Sequence, residues 1–202
     1  MYIPLIGQDG IREIITIGIG KSAGIISRLT NAHVYITVPD LYIIKSELNC
    51  PFYANLLDNV SLISMEFSGY LTGLINLIIP YESALNLVDL ISGEEMDSVE
   101  MDVVRIDTLM ETGNIIISCT MSALCNIIPS HLKYHLPLYR NDKKNVILID
   151  LNQTEFKVTI LVRIRFEIQD RMIEGDVIFL LTPSSFENLI SCIVGIAGGD
   201  KA

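Results

Sequence analysis

The chain has no tryptophan, three histidines and four cysteines, and only 19% of its 202 residues are charged. Basic residues are scarce: 14 Lys and Arg stand against 24 Asp and Glu, a net charge of −10. With no basic stripe to displace counterions from a phosphate backbone, a nucleic-acid binder is excluded. Low charge in a chain that is 50% hydrophobic excludes disorder. The cysteines (Cys50, Cys119, Cys125, Cys192) are widely spaced and lie mostly in apolar segments. The start, MYIPLIGQDG, lacks the basic region and cleavage site of a secretory signal. Without a leader, the cysteines read as buried thiols in a reducing compartment. Membrane spans are missing too. The charge-free stretch Thr112–Leu132 is long enough to be mistaken for one, but it holds Asn114, Ser118, Thr120, Ser122, Asn126, Pro129 and Ser130. Lipid does not tolerate that many unpaired polar groups. The expectation is a soluble, cytoplasmic protein with no membrane insertion.

What the chain does have is an internal duplication. Asp9-x3-Glu13-x2-Thr16-x22-Pro39 in the first half is matched by Asp107-x3-Glu111-x2-Asn114-x22-Pro137 in the second, with one offset shared by all four positions. The halves also end alike. Gly73 to Pro80 leads into an apolar helical pattern closed by Gly93, and Gly175 to Pro183 into one closed by Gly195. Two repeats, about 1–97 and 98–202, are therefore expected within one domain.

Each repeat reads as a long helix, short strands, two long strands and a helix. Apolar residues at helical spacing place the opening helices at about 8–30 and 98–128, the first with Asp9 as N-cap. Strands are expected at Val34–Val38, Leu41–Lys45, Val60–Phe67, Tyr70–Ile79, Val146–Leu151, Phe156–Ile168 and Asp176–Leu181, with a weak short strand near 132–137. Asn49–Asn59 and His135–Asn145 read as loops. Short turns between the long strands imply antiparallel pairing. The fold expected is a single α/β domain with pseudo-twofold symmetry, its long helices packed on antiparallel strands.

Asp107, Glu111 and Asn114 stand at i, i+4 and i+7 and share one helix face, which Ser118 and Ser122 extend with small residues. The same positions in the first repeat are Asp9, Glu13, Thr16, Gly20 and Gly24. A polar stripe on a helix is ordinarily a solvated face. A solvated face has no reason to fix its distance to a remote proline twice at one offset.

The pattern Asp/Ser-x3-Glu-x2-Asn-x22-Pro resembles the signature of the CheC/CheX/FliY phosphatases of bacterial and archaeal chemotaxis. Glu111-Thr-Gly-Asn114-Ile-Ile-Ile-Ser118 is similar to that family's helix almost position for position. Ile17-Gly-Ile-Gly20 and Val38-Pro39 look like its first repeat. The resemblance covers nearly the whole chain. Two repeats look more like CheC than like single-site CheX, and the lack of an appended flagellar-switch domain argues against a full FliY.

The resemblance implies an enzyme, a phosphatase that removes the aspartyl phosphate of a CheY-like response regulator. The family's catalytic pair maps onto Glu111 and Asn114. Asn114 would orient the hydrolytic water through its amide oxygen, and Glu111 would pair with the regulator's active-site lysine. Asp107 and Pro137 would be supports. No cofactor or metal is expected on this chain, because the Mg²⁺ belongs to the regulator. The receptor deamidase CheD is a second partner the resemblance suggests. The alternative is a non-catalytic module that binds phosphorylated regulator or CheD. Thr16 departs from the pattern. Its hydroxyl ends on the order of 1.5 Å short of where an amide oxygen reaches, and its β-branched side chain is stiff. The first motif (Asp9, Glu13, Thr16, Pro39) is therefore expected to be a degenerate site, weak or silent.

Three other patterns lead elsewhere. Gly20-Lys-Ser22 lacks the earlier glycine of a P-loop, since Ile15 stands there. Gly20-Lys-Ser-Ala-Gly24 matches a nucleophile elbow only if a strand ends at Ser22, and the repeat puts Ser22 inside a helix. Cys119 and Cys125, with His131 and His135, lack the tight cysteine pair of a structural zinc site.

Overall fold

A computed structural model describes residues 5–31, 33–44, 59–93, 101–168 and 171–198. In chain order the elements are α1 (Leu5–Thr30), β1 (Val34–Thr37), β2 (Leu41–Ile44), β3 (Asn59–Gly69), β4 (Gly73–Pro80), α2 (Tyr81–Ser92), α3 (Val103–Cys125), β5 (Leu132–Tyr134), β6 (Leu138–Lys143), α4 (Lys144–Asn152), β7 (Val158–Ile168), β8 (Arg171–Leu181) and α5 (Pro183–Ala197). Apart from α4, the second half repeats the order of the first.

The strands form one antiparallel sheet in the order β1-β7-β8-β4-β3-β5, with β2 also on β7 and β6 also on β3. Hairpins β3–β4 and β7–β8 each come from one half and join at the centre through β4 and β8. The short strands exchange partners: β1 and β2 pair with β7, while β5 and β6 pair with β3. Each half thus closes the sheet edge of the other. Fully buried Asn76 marks the centre. Its Nδ2 donates to the Ile178 carbonyl at 3.3 Å and its Oδ1 accepts from Ser64 at 2.8 Å, as a buried amide requires.

Alternation along the strands divides the apolar residues between two faces. Val158, Ile160, Val162, Ile164, Phe166 and Ile168 of β7 join the main core with α1, α2, α3 and α5. Leu161, with Val60, Leu62 and Ile178, faces the other way and is covered by Ile147, Leu148 and Leu151 of α4. In the helix layer, α1 and α3 pack against each other. Gly18 makes their approach possible, since a Cβ there would lie 2.6 Å from Thr120 Cα and 2.9 Å from the Cys119 carbonyl oxygen. Gly18→Ala is therefore expected to destabilise the fold by up to about 2 kcal/mol: overpacking costs about 1–3 kcal/mol, against roughly 1 kcal/mol of improved helix propensity. Gly24→Ala, whose Cβ would meet nothing within 4 Å, is expected to raise stability by up to about 1 kcal/mol. Denaturant melts of the two variants check the contrast; equal shifts would refute it.

Several sequence expectations need correction. Val146–Leu151 is not a strand but part of α4, because Ile147, Leu148 and Leu151 are buried at helical spacing. A short run of β-branched residues does not distinguish the two by periodicity. His135–Asn145 is not wholly a loop: residues 138–143 form β6, an edge strand whose charges (Arg140, Asp142, Lys143) suit an exposed edge. Arg140 donates to both Asp142 and Asp150 and ties that edge to α4. Tyr70–Thr72 lies in the β3–β4 turn. Asp9 does not cap α1, which already runs from Leu5 and buries Gly7 on the same stripe as Ile11 and Ile15. The capping aspartate of α3 is Asp102, whose side chain accepts from the Arg105 backbone N–H at 2.9 Å. Cys119, Cys125 and Cys192 are free thiols, half-buried rather than buried. Lys45, the expected loop at 49–58 with Cys50, and the repeat boundary near 97–98 lie outside the described residues.

Candidate functional site

Helix α3 turns one face to the core and the opposite face to solvent. Leu109, Thr112, Gly113, Ile116, Ile117, Thr120, Met121 and Leu124 are buried. Asp107, Glu111, Asn114, Ser118 and Ser122 are all exposed and form one stripe down the helix. The buried face is narrow at Gly113, where a Cβ would run into Ile63 Cδ1 and lie 3.3 Å from Leu77 Cδ2. That glycine lowers the helix onto the β3–β4 hairpin directly beside Asn114. At its start, α3 is held to α2 by buried Arg105, which donates to Asp89 at 3.1 Å. The acidic and amide groups thus stand on a helix fixed by packing on its other side.

From Asn114 toward the end of the helix the surface opens into a groove of about 570 Å³. Asn114, Ser118 and Ser122 form one wall and Tyr134 to Pro137 the other, with Met65 and Met121 also lining it. The fixed spacing between Asn114 and Pro137 has a structural origin: the chain leaves α3, forms β5, and returns the proline across from the asparagine. Cys125 Sγ and the Tyr134 hydroxyl, 2.9 Å apart, tie β5 to the end of α3. Partial burial and the shared hydrogen bond with Cys125 hold the Tyr134 phenol well above its ordinary range. Within the stripe, Ser118 Oγ donates to Asn114 Oδ1 at 3.2 Å.

The first copy keeps the backbone arrangement and loses part of the surface. Asp9, Glu13, Thr16, Gly20 and Gly24 are exposed along α1, and Pro39 lies between β1 and β2 as Pro137 lies between β5 and β6. Asp9 and Glu13 line a hollow of about 370 Å³ with Ile6, Ile17, Ile193 and Ile196, but Thr16 and Pro39 do not border it. The two neighbours of Pro39 are held by hydrogen bonds: Arg12 donates to the Val38 carbonyl at 3.4 Å and the Arg163 backbone N–H to the Asp40 carbonyl at 3.0 Å. The structure therefore brings Asn114 and Pro137 together at one groove, whereas the hollow beside Asp9 and Glu13 includes neither Thr16 nor Pro39.

The excluded patterns also find their places. Ser22 is fully buried inside α1 and donates to the Ile19 carbonyl at 2.6 Å, and its counterpart Thr120 donates to the Ile116 carbonyl at 2.7 Å. Thr120 lies at the α1–α3 contact, against Gly18. Among the described residues, no three His, Cys, Asp or Glu side chains gather as a metal-binding set. Sequence reasoning missed the apolar wall of the groove. The triplet Leu136-Pro137-Leu138, with Leu136 86% exposed, was a signal for it.

No family model matches the sequence, and no curated protein does. Solved structures do match. FliY of Thermotoga maritima superposes over 100% of both chains with a TM-score of 0.76 at 17% identity. FliM in a FliG–FliM complex from H. pylori covers 94% of this chain and 100% of its own, with a TM-score of 0.68 at 12% identity. CheX of Desulfovibrio desulfuricans covers 84% of this chain and 99% of its own, with a TM-score of 0.53 at 14% identity. No helix among the described residues is long and apolar enough to cross a membrane. The duplicated helices, the exchanged edge strands and these superpositions together give the chain the fold of the CheC/CheX/FliY family.

Proposed function

We propose that this chain hydrolyses the aspartyl phosphate of a CheY-like response regulator, using Glu111 and Asn114. The observation that carries the reading is their shared exposure on one face of α3, with Asn114 bordering an open groove that Pro137 also lines. A side chain that must enter another protein's active site has to stand clear of its own fold, and both do.

The chemistry asks little of the phosphatase. An acyl phosphate is already activated, and Mg²⁺ on the regulator neutralises its charge. As the water oxygen bonds to phosphorus, the bond from phosphorus to the aspartyl oxygen breaks. The regulator keeps a free carboxylate, inorganic phosphate leaves, and the water proton passes to phosphate or solvent. Phosphoryl transfer of this kind depends on positioning and electrostatics. The Asn114 amide oxygen accepts a hydrogen bond from the water and holds it in line. Glu111 pairs with the regulator's lysine and fixes the docking, while Asp107 one turn earlier adds to the negative field that attracts it. Leu136 and Leu138, 86% and 71% exposed on either side of Pro137, give the regulator an apolar surface to rest on.

A second reading is a binding module without turnover, for phosphorylated regulator or for CheD. FliM neighbours with this fold were crystallised with FliG and with SpeE, so the fold also serves assembly. Decay of phosphate on a purified regulator, followed with and without this chain, separates the two. Accelerated decay is expected. Unchanged decay with measurable binding would replace the phosphatase reading by the module. Glu111→Gln is expected to raise KM about ten-fold or more with little change in kcat, because it removes a docking charge. A loss confined to kcat would refute that role.

A further inference from the structure

We infer that Ser118 is a positioning residue that sets the orientation of the Asn114 amide. The inference rests on the reading of Asn114 given above and adds a residue to it. Ser118 Oγ donates to Asn114 Oδ1 at 3.2 Å across one turn of α3. That bond is not what the threonine hydroxyls of the helix make. Thr108, Thr112 and Thr120 each donate to the backbone carbonyl one turn earlier, the ordinary partner for a hydroxyl in a helix. Ser118 instead binds the side chain one turn earlier.

The consequence follows from the torsions of asparagine. Its terminal torsion has a broad, roughly two-fold profile, so an exposed amide presents oxygen or nitrogen to a partner almost equally well. A hydroxyl fixed on the same helix face selects one end. It occupies one lone pair of Oδ1 and leaves the other for water, while the two N–H donors point away from Ser118. An amide in the wrong orientation would offer the water a donor where an acceptor is required. The other copy supports treating the two residues as a unit. Where the second repeat has Asn114 and Ser118, the first has Thr16 and Gly20, and the amide and the hydroxyl are absent together. Gly20 is exposed, and a Cβ there would meet nothing within 4 Å, so packing does not demand that glycine.

The test combines kinetics with a measurement that needs no regulator. Ser118 is exposed and alanine is a better helix former, so Ser118→Ala keeps the fold. Its kcat on a regulator phosphorylated with acetyl phosphate is expected to fall about ten-fold, with KM unchanged. On an Asn114→Ala background the same substitution is expected to change nothing. In the free protein, the Asn114 side-chain carbonyl carbon is expected to move to lower frequency in the NMR spectrum of Ser118→Ala, as a carbonyl does on losing a donor. Installing the pair in the first repeat (Thr16→Asn with Gly20→Ser, on an Asn114→Ala background) is expected to restore more turnover than Thr16→Asn alone. Wild-type kcat in Ser118→Ala, an unmoved carbonyl resonance, or a loss confined to KM would each overturn the inference while leaving the phosphatase reading in place. A wild-type chain that does not accelerate phosphate decay would overturn both.

Discussion

Asn114→Ala is expected to lower regulator dephosphorylation about 10²-fold or more, the loss typical of misplacing a reactant by about 1 Å, while Thr16→Ala leaves turnover nearly unchanged. The asymmetry follows from geometry and chemistry together. Both residues are exposed on equivalent faces of α3 and α1. Asn114 has an amide oxygen, a hydroxyl that orients it and a groove that it lines together with its matching proline, Pro137, whereas Thr16 has no amide and does not border the hollow beside Asp9 and Glu13. Binding should survive in Asn114→Ala, because Glu111 and the apolar wall are untouched, so the loss falls on kcat. The measurement is phosphate decay at saturating and subsaturating concentrations of the regulator. Equal damage from both substitutions would mean that the two sites share the work, and the assignment of a single competent site would fail.

Separate halves of the chain, cut in the segment between α2 and α3, are expected not to fold cooperatively, and their mixture is expected to recover the native spectrum. The pairing pattern is the reason. A first half alone would leave β1 and β2 without β7, and β3 without β5 and β6 on its outer edge. The central β4–β8 pairing would also be lost. What remains is a two-stranded hairpin, which is marginal by itself in water, with a helix layer whose α1–α3 contact is gone. Buried strand edges would become exposed and prone to association. Circular dichroism and thermal melts of each half and of the mixture check this. A half that melts cooperatively alone would show that the exchanged edges are not needed for stability.

The two expectations have a common origin in the duplication, and they show how far a single sequence carries. Element types and order were readable wherever the hydrophobic period was long. The helices α1 and α3 and the strands β3, β4 and β7 fall close to their expected places, and β8 ends at Leu181 as expected but begins at Arg171 rather than Asp176; a buried stripe repeats many times along the long elements, and burial decides them. The errors fall on short segments. Val146–Leu151 has the residues of a strand, yet it is a helix because the free face of the sheet behind it has Leu62, Leu161 and Ile178 to cover. The polar stretch 138–143 has the composition of a loop, yet it is a strand because β3 has an unpaired edge. In both cases the deciding partner is distant in sequence and belongs to the other half or to the far side of the sheet.

The same division runs through the candidate site. Residue identities and spacing placed Asp107, Glu111 and Asn114 on one face, because about 100° per residue is a local property of the helical backbone. They also implied that Thr16 could not stand in for an amide, because reach is a property of the side chain alone. Whether that face meets solvent, where the return of Pro137 makes a groove, and which side chain holds the Asn114 oxygen depended on α1 approaching α3 at Gly18 and on β5 crossing to the hairpin of the first half. Those are contacts between residues far apart in the chain. Short-range periodicity carries no information about them, because their free energy comes from surfaces that meet only after the two halves have interlocked.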